Sequence, residues 1–167
     1  MRHVALIRAV NVGGRSKVPM AELRDLFEQL GHADVQTYIA SGNVVFGGKP
    51  DARRLEAAIA GRFGVTTTVV LRTGKQLAAV VDRHPFADTA QSYVTFLAEK
   101  PPAAATKAVH ALEIEPDEVR VIGREVYLRF PNGLGRSKSP AKVDRALEVE
   151  GTNRNWRTVE KLAELSA

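Results

Sequence analysis

The segment Asn132-Gly133-Leu134-Gly135-Arg136-Ser137-Lys138-Ser139 runs from a predicted strand to the start of a predicted helix. It brings pliable backbone, two cations and two hydroxyls to a helix N-terminus, where unpaired N–H groups and the positive end of the helix dipole favour an anion. A glycine loop with solvated charges is the alternative reading. A second candidate, Arg8-Ala9-Val10-Asn11-Val12-Gly13-Gly14, closes an apolar run ahead of a helix, with Lys17 nearby. Gly13 and Gly14 let backbone N–H groups converge on one point, as phosphate-holding loops do. The spacing is neither G-x-G-x-x-G nor G-x-x-x-x-G-K-[ST]. A tight strand-to-helix turn at positive φ accounts for the same glycines.

Two further stretches carry polar groups. Tyr38-Ile39-Ala40-Ser41-Gly42-Asn43-Val44 has ordinary hairpin residues. Gly151-Thr152-Asn153-Arg154-Asn155-Trp156-Arg157-Thr158 enters the last helix, where Arg154, Asn155 and Arg157 are placed to meet a ligand or nucleic acid and Trp156 has core spacing. The helix opening at Ser139-Pro140, a short turn and this last helix also have the length of a helix-turn-helix. Conventional catalytic sets are missing. His3, His32, His84 and His110 stand far apart in the chain, so no metal site is expected. No G-x-S-x-G elbow occurs, and with no cysteine there is neither a thiol nucleophile nor a disulfide. Neither a cofactor nor a general base is called for.

The elements that must position these loops follow from hydrophobic period and punctuation. Val4–Ala9 reads as a buried strand. Leu23, Leu26, Phe27 and Leu30 mark one face of a helix that stops at Gly31. Val35–Ile39 and Asn43–Phe46 read as strands, and Asp51 caps a helix with Leu55, Ile59 and Phe63 on one face. Val65–Arg72 is the fourth strand, giving βαββαβ, the ferredoxin-like plait. Thr73 caps a short helix that ends near His84-Pro85. The order then restarts: strand Tyr93–Ala98, helix Ala103–Leu112, a hairpin over Val119–Phe130 about Gly123-Arg124, and a helix from Ser139-Pro140 to Leu147. The fold class is therefore α+β, two tandem ferredoxin-like plaits over residues 1–84 and 85–167. The second is incomplete by one strand and is followed by an extra C-terminal helix bearing Trp156, Val159, Leu162 and Ala163. Halves of roughly 80 residues are marginal alone, so they are expected to pack together.

Bulk properties narrow the class. Apolar residues make up 44% of the 167, which is ordinary for a folded protein. The first residues lack a signal-peptide pattern, and no stretch is long enough to span a bilayer, so a cytoplasmic protein without a membrane partner is expected. The net charge of +5 is uneven: residues 1–84 hold 12 basic and 7 acidic side chains, and the remainder 12 of each. Residues 85–118 are acidic, and the basic excess returns at Arg136, Lys138, Lys142 and Arg145.

Leu6–Gly14, Lys17–Leu23, Thr37–Phe46, Asn132–Lys138 and Thr152–Leu162, taken together, resemble a bacterial family, domain of unknown function (DUF) 1697. The resemblance spans nearly the whole chain and implies the two-plait fold but no activity. Polar and glycine residues in loops are those a packing role explains least. The expected site is therefore one basic, loop-built site shared by the halves, from Arg8, Asn11, Gly13, Gly14, Ser41, Asn43, Gly135, Arg136, Lys138, Arg154 and Asn155. Its expected ligand is a phosphorylated or nucleotide-like small molecule, with Gly13, Gly14 and Gly135 offering N–H groups. A nucleic-acid-binding module and a non-catalytic interaction or structural protein are the other two readings. Oligomeric state is left open.

Overall fold

The computed structural model describes residues 1–12, 14 and 17–167. The chain divides into two compact units, Met1–Val81 with Glu160–Ala167, and Asp82–Val159.

In the first unit, β1 (Arg2–Ile7), β2 (Ala33–Thr37), β3 (Asn43–Gly47) and β4 (Val69–Thr73) form an antiparallel sheet in the order β2-β3-β1-β4. Strand alternation puts Ala5 and Ile7 of β1 and Val44 and Phe46 of β3 on one face. There they pack with Leu23, Leu26 and Phe27 of α1 (Met20–Gln29) and Leu55 and Ile59 of α2 (Ala52–Phe63). Phe27 meets Phe46 edge-on at 5.2 Å between ring centroids. Helix α2 starts as its capping residue predicts: the Asp51 carboxylate accepts from Arg54 N–H at 3.1 Å. It ends at Gly64, φ 67°. Thr73 opens α3 (Gly74–Asp82) through a reciprocal pair, its hydroxyl accepting from Gln76 N–H while the Gln76 side chain accepts from Thr73 N–H.

The second unit repeats this order. β5 (Ser92–Leu97), α4 (Ala103–His110), β6 (Glu118–Ile122), β7 (Glu125–Arg129), α5 (Ser139–Leu147) and β8 (Gly151–Asn155) precede α6 (Trp156–Leu165). The sheet order is β6-β7-β5-β8 and antiparallel. Leu97, Val126, Leu128 and Phe130 form its core with Val109 of α4 and Val143 and Leu147 of α5.

The sequence reading leaves the second unit one strand short, and the structure corrects this: β8 completes the sheet. Gly-Thr-Asn-Arg-Asn has no apolar alternation to announce a strand. Its inward positions are Thr152 and Arg154, and its backbone is paired along β5. A strand between α5 and α6 also removes the helix-turn-helix alternative. Residue-level correspondence, invisible in the sequence, appears in the register. Val4 stands opposite Arg72 as Val94 stands opposite Arg154, and Ile7 opposite Val69 as Leu97 opposite Gly151. Asn155 caps α6 by accepting from Thr158 N–H at 2.9 Å, three residues on, just as Thr73 caps α3.

Smaller corrections concern strand ends. The fourth strand begins at Val69, after Val65–Thr68, and β2 ends at Thr37 because Ile39 takes φ 51°. Among the described residues no helix is long and apolar enough to cross a membrane.

Candidate functional site

In the first unit the chain leaves β1 at Arg8, and two loops interlock beside it. Ala9 and Asn11 hold φ of 54° and 57°, a region that asparagine tolerates and alanine does not favour. Both amide protons of Asn11 are used, donated to Val18 O (2.9 Å) and Ala40 O (2.8 Å), while Val18 N–H donates to its Oδ1 at 2.7 Å. Asn43 is fully buried and donates to Tyr38 O at 2.9 Å and to Ser41 Oγ at 3.1 Å. Ile7 N–H donates to Gly42 O, and Thr67 Oγ1 donates to Arg8 O at 2.6 Å. The structure thus brings Arg8, Asn11, Ser41 and Asn43 together at one end of the sheet. The two asparagines are spent on holding the loops in shape. The Arg8 side chain is exposed, Gly14 is exposed at φ 73°, and Gly13 lies outside the described residues.

In the second unit Arg136 and Lys138 lie where the sequence reading places them, on the loop entering α5. A single turn of 3-10 helix, Leu134–Arg136, carries the chain into it. Arg136, Ser137, Lys138, Ser139 and Lys142 line one wall of a cleft of about 250 Å³. Gly133 lines it, and Gly135 does not. Facing these groups are Glu113, Glu115 and Asp117, which the reading of the basic loops overlooked. Their signal in the sequence was the acidic stretch ending at Glu118. This cleft is therefore of mixed charge, where the loop by itself reads as basic.

Asp117 braces the loop. Its Oδ2 accepts from the hydroxyls of Ser137 and Ser139, both at 2.6 Å, and Ser139 N–H donates to Ser137 Oγ at 3.0 Å. The Ser139 hydroxyl therefore serves Asp117 and does not cap α5. Short bonds to a carboxylate are the stronger kind and hold the start of α5 in place.

Arg154 and Asn155 do not join this cleft. Thr152 and Arg154 project from the sheet face opposite α4 and α5, on the side of Val94 and Tyr127. Arg154 is 6% exposed, and burial pushes its guanidinium down to about 10. It donates to Thr152 Oγ1 at 2.6 Å and to Asn153 O at 2.8 Å. The Asn155 side chain is the cap of α6. Of the strand aromatics among the described residues, Phe46, Phe96 and Tyr127 are buried and Tyr93 packs on Phe130 at 5.6 Å.

Among the described residues no group of three or more histidine or acidic side chains could hold a metal. Three histidines instead pack against rings. His32 lies tilted against Phe46 at 4.6 Å, His3 tilted against Phe46 at 5.8 Å and His84 edge-on to Trp156 at 4.6 Å, with His84 Nε2 3.0 Å from Ser92 Oγ. Burial, the largest cause in each case, holds all three below their ordinary value of 6.5. As pH falls below that value the unfolded chain takes up these protons before the folded one. Stability is then lost through the window down to the depressed folded values, and levels off beneath it. Urea midpoints measured from about pH 8 to pH 5 should fall on the acid side, and an unchanged midpoint would remove this account.

No curated protein matches the chain. A solved structure, that of a conserved bacterial protein from Streptococcus pneumoniae, is similar with a TM-score of 0.73 and 26% identity, over 99% of this chain and 98% of that one. That coverage includes the segment 132–142. A family model described as protein of unknown function (DUF1697) matches residues 1–127, stopping short of that loop. With three quarters of its length matched in this way, the chain belongs to the DUF1697 family.

Proposed function

We propose that this is a cytoplasmic binding protein for a small phosphate-bearing ligand of nucleotide-like polarity. The site is the cleft between Glu113–Asp117 and Asn132–Lys142, and each unit is read as a ferredoxin-like plait whose helix-side loops are free to carry such a site. The observation that carries the reading is the convergence of Arg136, Lys138 and Lys142 on one cleft at the start of α5, on a loop braced by Asp117. Cations and backbone donors at a helix N-terminus neutralise a phosphate without needing a metal or a general base. The acidic wall adds selectivity. Glu113 and Glu115 repel a bare polyanion and accept hydrogen bonds from hydroxyl or amino groups, so the cleft suits a ligand with an anionic end and a donor-rich end.

The test is thermal unfolding with inorganic phosphate, sugar phosphates and nucleoside monophosphates at two ionic strengths, for the native chain and for R136A/K138A. A ligand at about 100 times its Kd adds about 2.7 kcal/mol to the folded state. The double variant alters exposed side chains only, so its own stability should stay within about 0.5 kcal/mol of the native chain while the ligand-induced shift disappears. Equal shifts in both proteins, or none with any phosphate compound, would end the proposal. A shift produced only by oligonucleotides and abolished by salt would transfer the function to nucleic-acid binding.

A further inference from the structure

The two units differ at one place that their shared register makes visible. In the first unit, Val69 and Leu71 of β4 stand opposite Ile7 and Ala5, Val69 lies in the core and Leu71 packs against it. Helix α2 packs on β4 there. The corresponding residues of β8 are Gly151 and Asn153, opposite Leu97 and Thr95. Helix α5 makes no comparable contact with β8, and the space left open is a pocket of about 220 Å³.

Its walls are apolar and its rim is polar. Leu128, Phe130, Leu134, Pro140 and Val143 supply the apolar surface, while Thr95, Asn153 and Asp144 supply the polar edge. Packing demands the glycine: a Cβ on Gly151 would lie 2.9 Å from Phe96 O and from Thr95 Cγ2. Packing does not demand Asn153, whose counterpart is a leucine. The Asn153 amide is held in place by donating to Thr95 Oγ1 at 2.9 Å, which uses one N–H and leaves the other N–H and Oδ1 on the pocket side of the strand. An amide offers a donor and an acceptor side by side, the pairing that reads the edge of a nitrogen heterocycle. The nearby Asp144 carboxylate favours an amino substituent over a carbonyl. The volume lies below the roughly 300–1,000 Å³ of pockets for drug-sized ligands, so it takes a single ring system.

We infer that the pocket between α5 and β8 binds an amino-substituted nitrogen heterocycle of nucleobase size, its ring between Phe130, Leu134 and Val143 and its polar edge on Asn153. This site lies across the Leu134–Arg136 turn from the charged cleft and does not rest on the anion reading.

The experiment is an amide-resolved NMR titration of the full chain with cytidine, adenosine and uridine. Cytidine and adenosine are expected to shift the amides of Thr95, Leu134, Val143, Gly151 and Asn153, with uridine at least roughly tenfold weaker. In N153L, which restores the residue type of the first unit, those shifts should vanish while the unfolding midpoint holds or rises. T95V keeps the shape of the wall but releases the amide, and should weaken binding roughly tenfold. R136A/K138A should titrate with nucleosides like the native chain, so loss of the phosphate reading leaves this result untouched. Absence of shifts in the native chain, identical titrations in N153L, or uridine binding as well as cytidine would each overturn the inference.

Discussion

Asp117→Ala is expected to be among the most damaging single changes in the second unit. It removes the one oxygen that accepts from both Ser137 and Ser139, each at 2.6 Å, and leaves two hydroxyls without their charged partner. Hydrogen bonds to a charged group contribute about 1.5–3 kcal/mol each. Asp117 is partly exposed, and water replaces part of that, so the expected loss is about 2–4 kcal/mol. The consequence reaches the cleft. Without the brace, the loop bearing Arg136 and Lys138 loses its fixed placement, and binding of the proposed phosphate ligand would have to order it again. Hydrogen exchange should show earlier exchange of Ser139 N–H, and the phosphate-induced thermal shift should shrink with it. Asp117→Asn retains an acceptor oxygen and should recover about half of the stability, since a neutral acceptor is roughly half as strong. Native-like exchange in Asp117→Ala would show that the loop is held by other means.

The second large effect lies in the first unit. Gly42 sits between Ser41 and Asn43 at φ 90°, where an L side chain is strained. A Cβ there would stand 2.6 Å from Val10 Cγ2 and 3.1 Å from both Ile7 Cβ and Ile7 O. Val10 is 1% exposed and has no room to yield. Strain and overpacking together give an expected cost of about 2–4 kcal/mol for Gly42→Ala. Urea unfolding would read it, and a loss below about 0.5 kcal/mol would mean that the loop relaxes freely. Gly14, also at positive φ, has no described residue within 4 Å of where a Cβ would stand. Its substitution should cost only the backbone term, about 1 kcal/mol. The contrast separates a glycine required by packing from one required by conformation alone.

These two positions show why a polar motif is hard to interpret before its surroundings are known. Asn11, Ser41, Gly42 and Asn43 have the types of a binding loop, yet the side-chain N–H groups of Asn11 and Asn43 donate to the loops themselves. Arg136 and Lys138 have the same types and remain exposed at a cleft. Spacing along a chain cannot tell these cases apart, because the difference is which backbone carbonyls lie within 3 Å.

What the sequence determined by itself is local. Apolar residues at helical spacing set α1 and α2 and the faces they bury, near-continuous apolar runs set β1 and β3, and Asp51, Thr73 and Gly64 mark the helix ends they occupy. Each of these depends on neighbours a few residues away, so pattern and propensity suffice. The tertiary structure alone decided β8, the mixed charge of the cleft and the pocket beside α5. Strand β8 exists because β5 offers it hydrogen bonds and buries Thr152 and Arg154, and no hydrophobic period records that. Asp117 is 20 residues from Ser137 along the chain and 2.6 Å from it in space. Long-range pairing of this kind is created by the fold, and with it the chemistry of the cleft.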